Sequence, residues 1–407
     1  MPHFKEQKLH SAYLWVVLLL CSLAASSVFA ETPYHKQKKI ELNDGAPKYQ
    51  VNNLVRVLED KEGHLTIQDI LQPERIREFK HTPNKGALNF GYTSSSYWIA
   101  LPVQYKGKKA LSEWWYQLDL PLLDESELYI VSTREKGSVH IIKKQMNYDI
   151  PLKEREINHV TQVYRITLKK DEQVTLYLKI KSEFSIHLPL FIYSPEGFVD
   201  AVAVEELLYG CFLGALWILI VYNLFMYISV REQSFLFYIL YMFFYMLFLV
   251  TERVHGLSLF GEIPSFFHKH NLAYTIWVAW IFALLLARSF LDTKINEPDL
   301  DGIIKIFISV ASVSVVITGF MDASTGIQWA VMGTIFYGIL MVWLAYSAVK
   351  RGNPVARFYF MAWSLNFGGV ILYGLTVTGY LPFNFMTSNS PHIGIVAQLV
   401  IISLALA

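Results

Sequence analysis

The chain has 407 residues, with 35 Lys and Arg against 34 Asp and Glu, a formal net charge of +1 and 2 Cys. A balance so close to neutral, with no basic stripe, excludes a nucleic-acid partner. Cys21 lies in the leader and Cys211 in an apolar run, which excludes a disulfide-stapled scaffold.

At the N-terminus Lys5 and Lys8 precede an apolar core from Tyr13 to Leu23, then small residues ending in Ala30. This is the pattern of a secretory signal peptide, residues 1–30, cleaved after Ala30. A lipid anchor on Cys21 is disfavoured because Leu20 stands where a small residue is expected. From Glu31 to Glu206 lie 24 of the Lys and Arg and 25 of the Asp and Glu, the composition of a water-facing domain.

Strand patterns follow through this stretch, at Tyr49–Glu59, Ser96–Tyr105, Trp114–Leu122, Ser126–Thr133, Val160–Leu168, Gln173–Ser182 and Ile186–Ser194. In Gln173–Ser182 the residues Leu176, Leu178 and Ile180 alternate with Tyr177, Lys179 and Lys181, a period of two. With only one helix-like piece, around Ile67–Phe79, residues 31–200 are expected to form an antiparallel, jelly-roll-like β-sandwich placed in the periplasm.

After Glu206 only 9 Lys or Arg and 8 Asp or Glu are spread over the rest of the chain. Seven apolar segments follow, at 207–228, 235–250, 272–287, 303–320, 327–349, 355–380 and 393–407. In lipid every backbone amide must be satisfied within its own segment, so these runs are expected to be transmembrane helices of a second domain, 201–407. The signal peptide puts the β domain outside, so the first helix runs inward. Inward loops then hold Arg231, Arg288, Lys294, Lys305, Lys350, Arg351 and Arg357, and outward loops only Arg253 and Lys269. The positive-inside bias gives the same orientation independently, with the C-terminal end in the cytoplasm.

No catalytic set is present. The last apolar segment has no Lys for a retinal Schiff base, and H-E-x-x-H, Walker A and G-x-S-x-G patterns are missing. The chain is therefore expected to be neither an enzyme nor a cofactor carrier. Zinc would need three or four placed ligands, and His255, His268, His270 and His392 read instead as solvated loop histidines.

Several stretches resemble the bacterial 7TM receptors with diverse intracellular signalling modules. "VRVLEDKEGHLTIQDIL", "LNFGYTSSSYWIALPV", "LDLPLLDESELYIV" and "LPLFIYSPEGF" are similar to that family's type-two extracellular domain. "GCFLGALWILIVYNLFMYISVREQSFLFYILYMFF", "SFLDTKINEPDLDGIIK", "VARFYFMAWSLNFGGVILYGLTVTGYLP" and "HIGIVAQLVIISLALA" are similar to its membrane region. Two departures stand out: Ala100 where the family often has Arg, and Gln398 where its seventh helix often has Glu.

The resemblance implies a sensory receptor. Its periplasmic domain would bind a small ligand, with carbohydrate as one class, and its helices would signal to a cytoplasmic output module continuing beyond Ala407, such as a histidine kinase, diguanylate cyclase or phosphatase. The competing reading is a transporter or membrane-assembly component with a periplasmic docking domain. Expected partners are the ligand and the lipid bilayer, with a homodimer left open.

Candidate ligand-facing residues are Trp114, Trp115 and Tyr116, aromatics that suit sugar stacking. Adjacent strand residues point to opposite faces, so at most one of the two Trp belongs to the core. Trp98 is expected in the core. Candidate signal-coupling residues are Glu205 and Glu206 at the junction and the intramembrane polar residues Asn223, Asn366 and Gln398. Gly368, Gly369 and Gly374 are expected to permit close helix approach or a kink.

Overall fold

The structure is a computed structural model that describes residues 39–81, 87–133, 139–252, 265–353, 355–377, 380–382 and 384–406. The signal-peptide reading of residues 1–30 and the loop residues Arg253 and His255 fall outside these.

Period-two alternation along the strands builds two facing sheets. The first contains β1 (Ile40–Leu42), β3 (Arg56–Asp60), β4 (Lys80–His81), β6 (Ser96–Tyr105), β8 (Glu125–Thr133), β9 (Val139–Asn147) and β11 (Gln173–Lys181). Its order is β4-β3-β6-β11-β8-β9, with β1 parallel to the end of β6. The second sheet has the order β10-β7-β13-β2, from β2 (Lys48–Gln50), β7 (Leu111–Leu118), β10 (Gln162–Lys169) and β13 (Leu190–Tyr193). A short pair, β5 (Leu88–Gly91) with β12 (Ile186–Leu188), completes the domain.

Leu176, Leu178 and Ile180 of β11 point into the sandwich and pack with Ile99, Leu101, Trp114, Tyr116 and Ile166. Tyr177 points the other way, into a second core with Trp98, Ala100 and Tyr129. That outer core is roofed by α1 (Ile67–Ile70), which supplies Ile67 and Ile70, and by Phe79 just past α2 (Pro73–Glu78). Thr66 starts α1 with a capping box, its hydroxyl and the Asp69 carboxylate each satisfying the other residue's backbone amide. Trp98 is thus buried, as expected, but beneath the helical roof and not between the sheets.

The helical part contains α3 (Pro195–Val230), α4 (Gln233–Glu252), α5 (Ser265–Phe290), the short α6 (Thr293–Asn296), α7 (Pro298–Thr318), α8 (Ala323–Lys350), α9 (Ala356–Val377), the short α10 (Phe385–Ser388) and α11 (Ser390–Leu406). Among the described residues six helices are long and apolar enough to cross a membrane, and α11 is a shorter apolar helix of 17 residues. Each expected segment corresponds to one of these seven helices.

The largest difference lies at α3, which starts at Pro195, well before the expected 207, and crosses the domain boundary drawn at 200/201 without a break. The physical reason is local. Ser194 Oγ accepts from Gly197 N at 3.0 Å, Pro195 occupies the first turn, and no further Pro interrupts the residues that follow. An apolarity criterion finds only the lipid-facing part of such a helix.

In the bundle α9 lies closest to α11. A Cβ on Gly369 would stand 2.4 Å from Ser390 O, and one on Gly394 3.0 Å from Leu365 O. A Cβ added at Gly368 or Gly374 would meet nothing within 4 Å, so of the three glycines expected to matter in α9 Gly369 is the one whose missing Cβ permits the close approach to α11.

Candidate functional site

The root of α3 is set into the second sheet. On β7, Trp114 and Tyr116 face inward while Trp115 faces outward, toward the helix. Phe198 of α3 is 4% exposed, with its ring 5.1 Å from Trp115, 5.1 Å from His159 and 5.5 Å from Tyr193, all edge-on. Ile157, Val163, Phe191, Ala201 and Val202 close the cluster. Gly197 lets the helix touch the β1–β2 loop, because a Cβ there would sit 2.3 Å from Pro47 O. Lys48 lies 4.0 Å over the Phe191 ring, and burial lowers its pKa against the opposing pull of Asp119 and Glu205.

A second contact between domain and bundle comes from the β11–β12 loop. Phe184 enters the bundle's own hydrophobic core. Ser324 Oγ at the start of α8 donates to Glu183 O, and the His187 ring lies 6.2 Å from that of Tyr373 near the end of α9. The start of α8 and the end of α9 therefore lie at the same end of the bundle as the β domain, as strict alternation of the helices requires. At the other end ion pairs tie the loops: Lys305 to Asp301 at 2.7 Å, Arg351 to Glu297 at 3.6 Å, and Arg288 to Asp301.

The three intramembrane polar candidates converge on α11. Asn366 Nδ2 donates to Gln398 Oε1, joining α9 to α11. Asn223 Nδ2 donates to Ser403 Oγ at 3.0 Å, joining α3 to α11, and the Tyr238 hydroxyl of α4 donates to Leu399 O. Three helices thus hold α11 by polar bonds within Gln398–Ser403. Such bonds contribute about 0.6 to 2 kcal/mol each between membrane helices.

Two of the three aromatics expected to face a ligand are enclosed. Trp114 is 1% exposed and Tyr116 0%, both enclosed between the sheets. Trp115 is half-buried, with the Phe198 ring edge-on to it, and donates from Nε1 to Glu113 Oε1 at 2.6 Å. A residue in an alternating apolar strand is recognisable as buried on one face, but the strand alone does not say which face a helix will cover. Glu205 and Glu206 are exposed on α3, inside the continuous helix and not in a connecting segment.

Ala100 lies opposite Arg56 in the β3–β6 register and belongs to the roofed core. His392 packs its ring 5.4 Å from Phe212. The His268 side chain lies outside the described residues. Among the described residues no group of three or more His, Cys, Asp or Glu is placed to hold a metal ion.

A cleft of about 360 Å³ opens between the edges of the two sheets, lined by Lys144, Gln145, Met146, Ile150, Glu154, Arg155, Glu156 and Tyr164. Of its lining residues, Arg155 donates to the carbonyls of Tyr148, Ile150, His159 and Val160, and Lys144 bonds Glu156 at 2.7 Å. Sequence reasoning missed this cleft, as well as Phe198, His159 and Phe184. Of these only Phe184 carried a signal, an aromatic in the polar turn "KSEFS".

A family model described as 7TM diverse intracellular signalling matches residues 205–407, and one described as 7TMR-DISM extracellular 2 matches residues 52–194. No curated protein matches the chain.

Proposed function

The chain belongs to the 7TM diverse intracellular signalling family, and from that premise we propose that it is an inner-membrane receptor whose periplasmic sandwich captures a ligand and biases the seven-helix bundle. In this reading the C-terminal end of α11 is cytoplasmic and drives an output module that follows it.

One observation carries the proposal: α3 runs unbroken for 36 residues from the sandwich into the bundle, with its first turns packed into the outer face of the second sheet. A shift of that sheet moves a rigid lever, because helix bending within a continuous hydrogen-bonded span is small. Toward its far end, two turns before Val230, Asn223 of the lever holds α11. The β11–β12 loop offers a parallel route through Phe184.

The test joins the chain after Ala407 to a reporter kinase and screens medium components for a response. A four-residue Gly-Ser spacer inserted after Phe198 should abolish the response while the sandwich stays folded and ligand-bound. Full response with the spacer present would overturn the lever.

A further inference from the structure

We propose that a groove in the lipid-facing side of the bundle, between α5, α8 and α9, binds a membrane-dissolved aliphatic alcohol. The proposal goes beyond the receptor reading and leans on it only for the consequence at α11.

The groove encloses about 50 Å³. Its wall is aromatic: the Trp280 and Trp363 rings stack at 5.7 Å, and Phe367 lies against Gly338, where a Cβ would meet its ring at 2.6 Å. Ile335 and Val370, which also line it, are exposed, so the groove opens toward lipid.

Depth selects what can enter. Asn366, a further lining residue, stands at the centre of α9, eleventh of its 22 residues. Such a helix is about 33 Å long at 1.5 Å per residue, so Asn366 lies near the middle of a hydrocarbon core roughly 30 Å thick. Ions and zwitterions are costly at that depth, and a phospholipid keeps its polar head at the surface. The occupant is therefore uncharged and dissolved in the membrane.

The polar atoms then select its chemistry. Trp280 Nε1 donates to Thr334 Oγ1 at 3.2 Å, Thr334 Oγ1 donates to Ala330 O at 3.0 Å, and Trp363 Nε1 is buried. Asn366 Nδ2 donates to Gln398 Oε1, but among the described residues nothing donates to Asn366 Oδ1. An amide oxygen without a donor is costly in hydrocarbon, where water does not replace the missing partner. It calls for a hydroxyl or an N–H.

Size narrows the class. Roughly 10 to 15 Å³ holds one water-sized group, so the groove takes about four. That admits a hydroxyl and the first carbons of an unbranched chain, with the rest running out past Ile335 and Val370, and leaves no room for a ring seated whole. A hydroxyl donated to Oδ1 polarises the amide and strengthens the bond from Nδ2 to Gln398. Occupancy would thus favour the contact of α9 with α11, and that contact would favour occupancy.

The probe is 1-octanol carrying a diazirine at its sixth carbon, where the chain leaves the groove. It is photolysed with the full chain in nanodiscs of phosphatidylethanolamine and phosphatidylglycerol, and the adducts are mapped by mass spectrometry. Saturable labelling of Ile335 and Val370 is expected, cut at least tenfold by excess 1-octanol and less than twofold by the same excess of octane. Asn366→Leu removes the acceptor and should weaken labelling about tenfold.

Because Asn366 also holds Gln398, that variant can fail to fold. Ile335→Trp, at a lipid-exposed position, then serves instead: it should fill the mouth and abolish labelling of Val370 with the thermal transition unchanged. Labelling spread evenly over lipid-facing residues without saturation, competition by octane equal to that by octanol, or full labelling of Val370 in Ile335→Trp would overturn the proposal. No signalling readout enters, so failure here leaves the receptor reading to its own spacer test.

Discussion

Replacing Phe198 by Ala is expected to free the root of α3 from the sandwich. Phe198 is 4% exposed and sits edge-on to Trp115, His159 and Tyr193. Truncating a buried Phe to Ala costs roughly 3 to 5 kcal/mol, the transfer of the ring plus the cavity it leaves. Each aromatic pair adds roughly 0.5 to 1.5 kcal/mol beyond area, which the variant also forfeits. Trp115 lies at the surface of the cluster and can settle into part of the space, so the low end applies, about 3 kcal/mol. At 1.4 kcal/mol per tenfold this shifts the local opening equilibrium by about 100-fold.

The assay is amide hydrogen exchange of the full chain in nanodiscs. Protection over residues 199–206 should fall by about two orders of magnitude in Phe198→Ala, while residues 216–226, in the membrane-spanning part of the same helix, keep theirs. Phe198→Leu should lose about half as much on the logarithmic scale. A change below threefold over 199–206, or equal loss in both segments, would refute the claim that this ring anchors the lever.

Gly369→Leu should drive α9 from α11, because its Cβ would meet Ser390 O at 2.4 Å, and should also cost the Ser390 Oγ bond to Gly369 O. A loss of about 1 to 2 kcal/mol is expected in thermal unfolding, whereas Gly368→Ala, whose Cβ meets nothing, should be neutral or stabilising; destabilisation by both would sink the assignment. His187 is held neutral by burial, its pKa lowered from 6.5 to about 4. Because the folded pKa is below the unfolded one for a base, its stabilising contribution is complete above pH 6.5 and is lost as pH falls toward 4, by about 2 kcal/mol at pH 5. Thermal unfolding from pH 8 to 4.5 should show that loss in the native chain and a flatter profile in His187→Phe; identical profiles would refute it.

Much of this molecule is legible in its sequence because two solvents sort its residues. Alternation of Leu176, Leu178 and Ile180 with Tyr177 and Lys179 dictates a strand with two different faces, and the seven apolar runs dictate helices, since lipid offers backbone amides no other partner. These rules act within a few residues, so strands and spans follow from local pattern.

Tertiary structure decided which face of β7 a helix would cover, and so turned Trp115 into an anchor and Trp114 into core. It also decided that Asn366 would meet Gln398 and Asn223 would meet Ser403, partners 32 and 180 positions apart. Such meetings depend on helix rotation and crossing, set by packing at positions such as Gly369 and Gly394 and not by the polar residues themselves. The unbroken entry of α3 into the bundle has the same origin: hydropathy reports where lipid begins, and only the fold reports where the helix does.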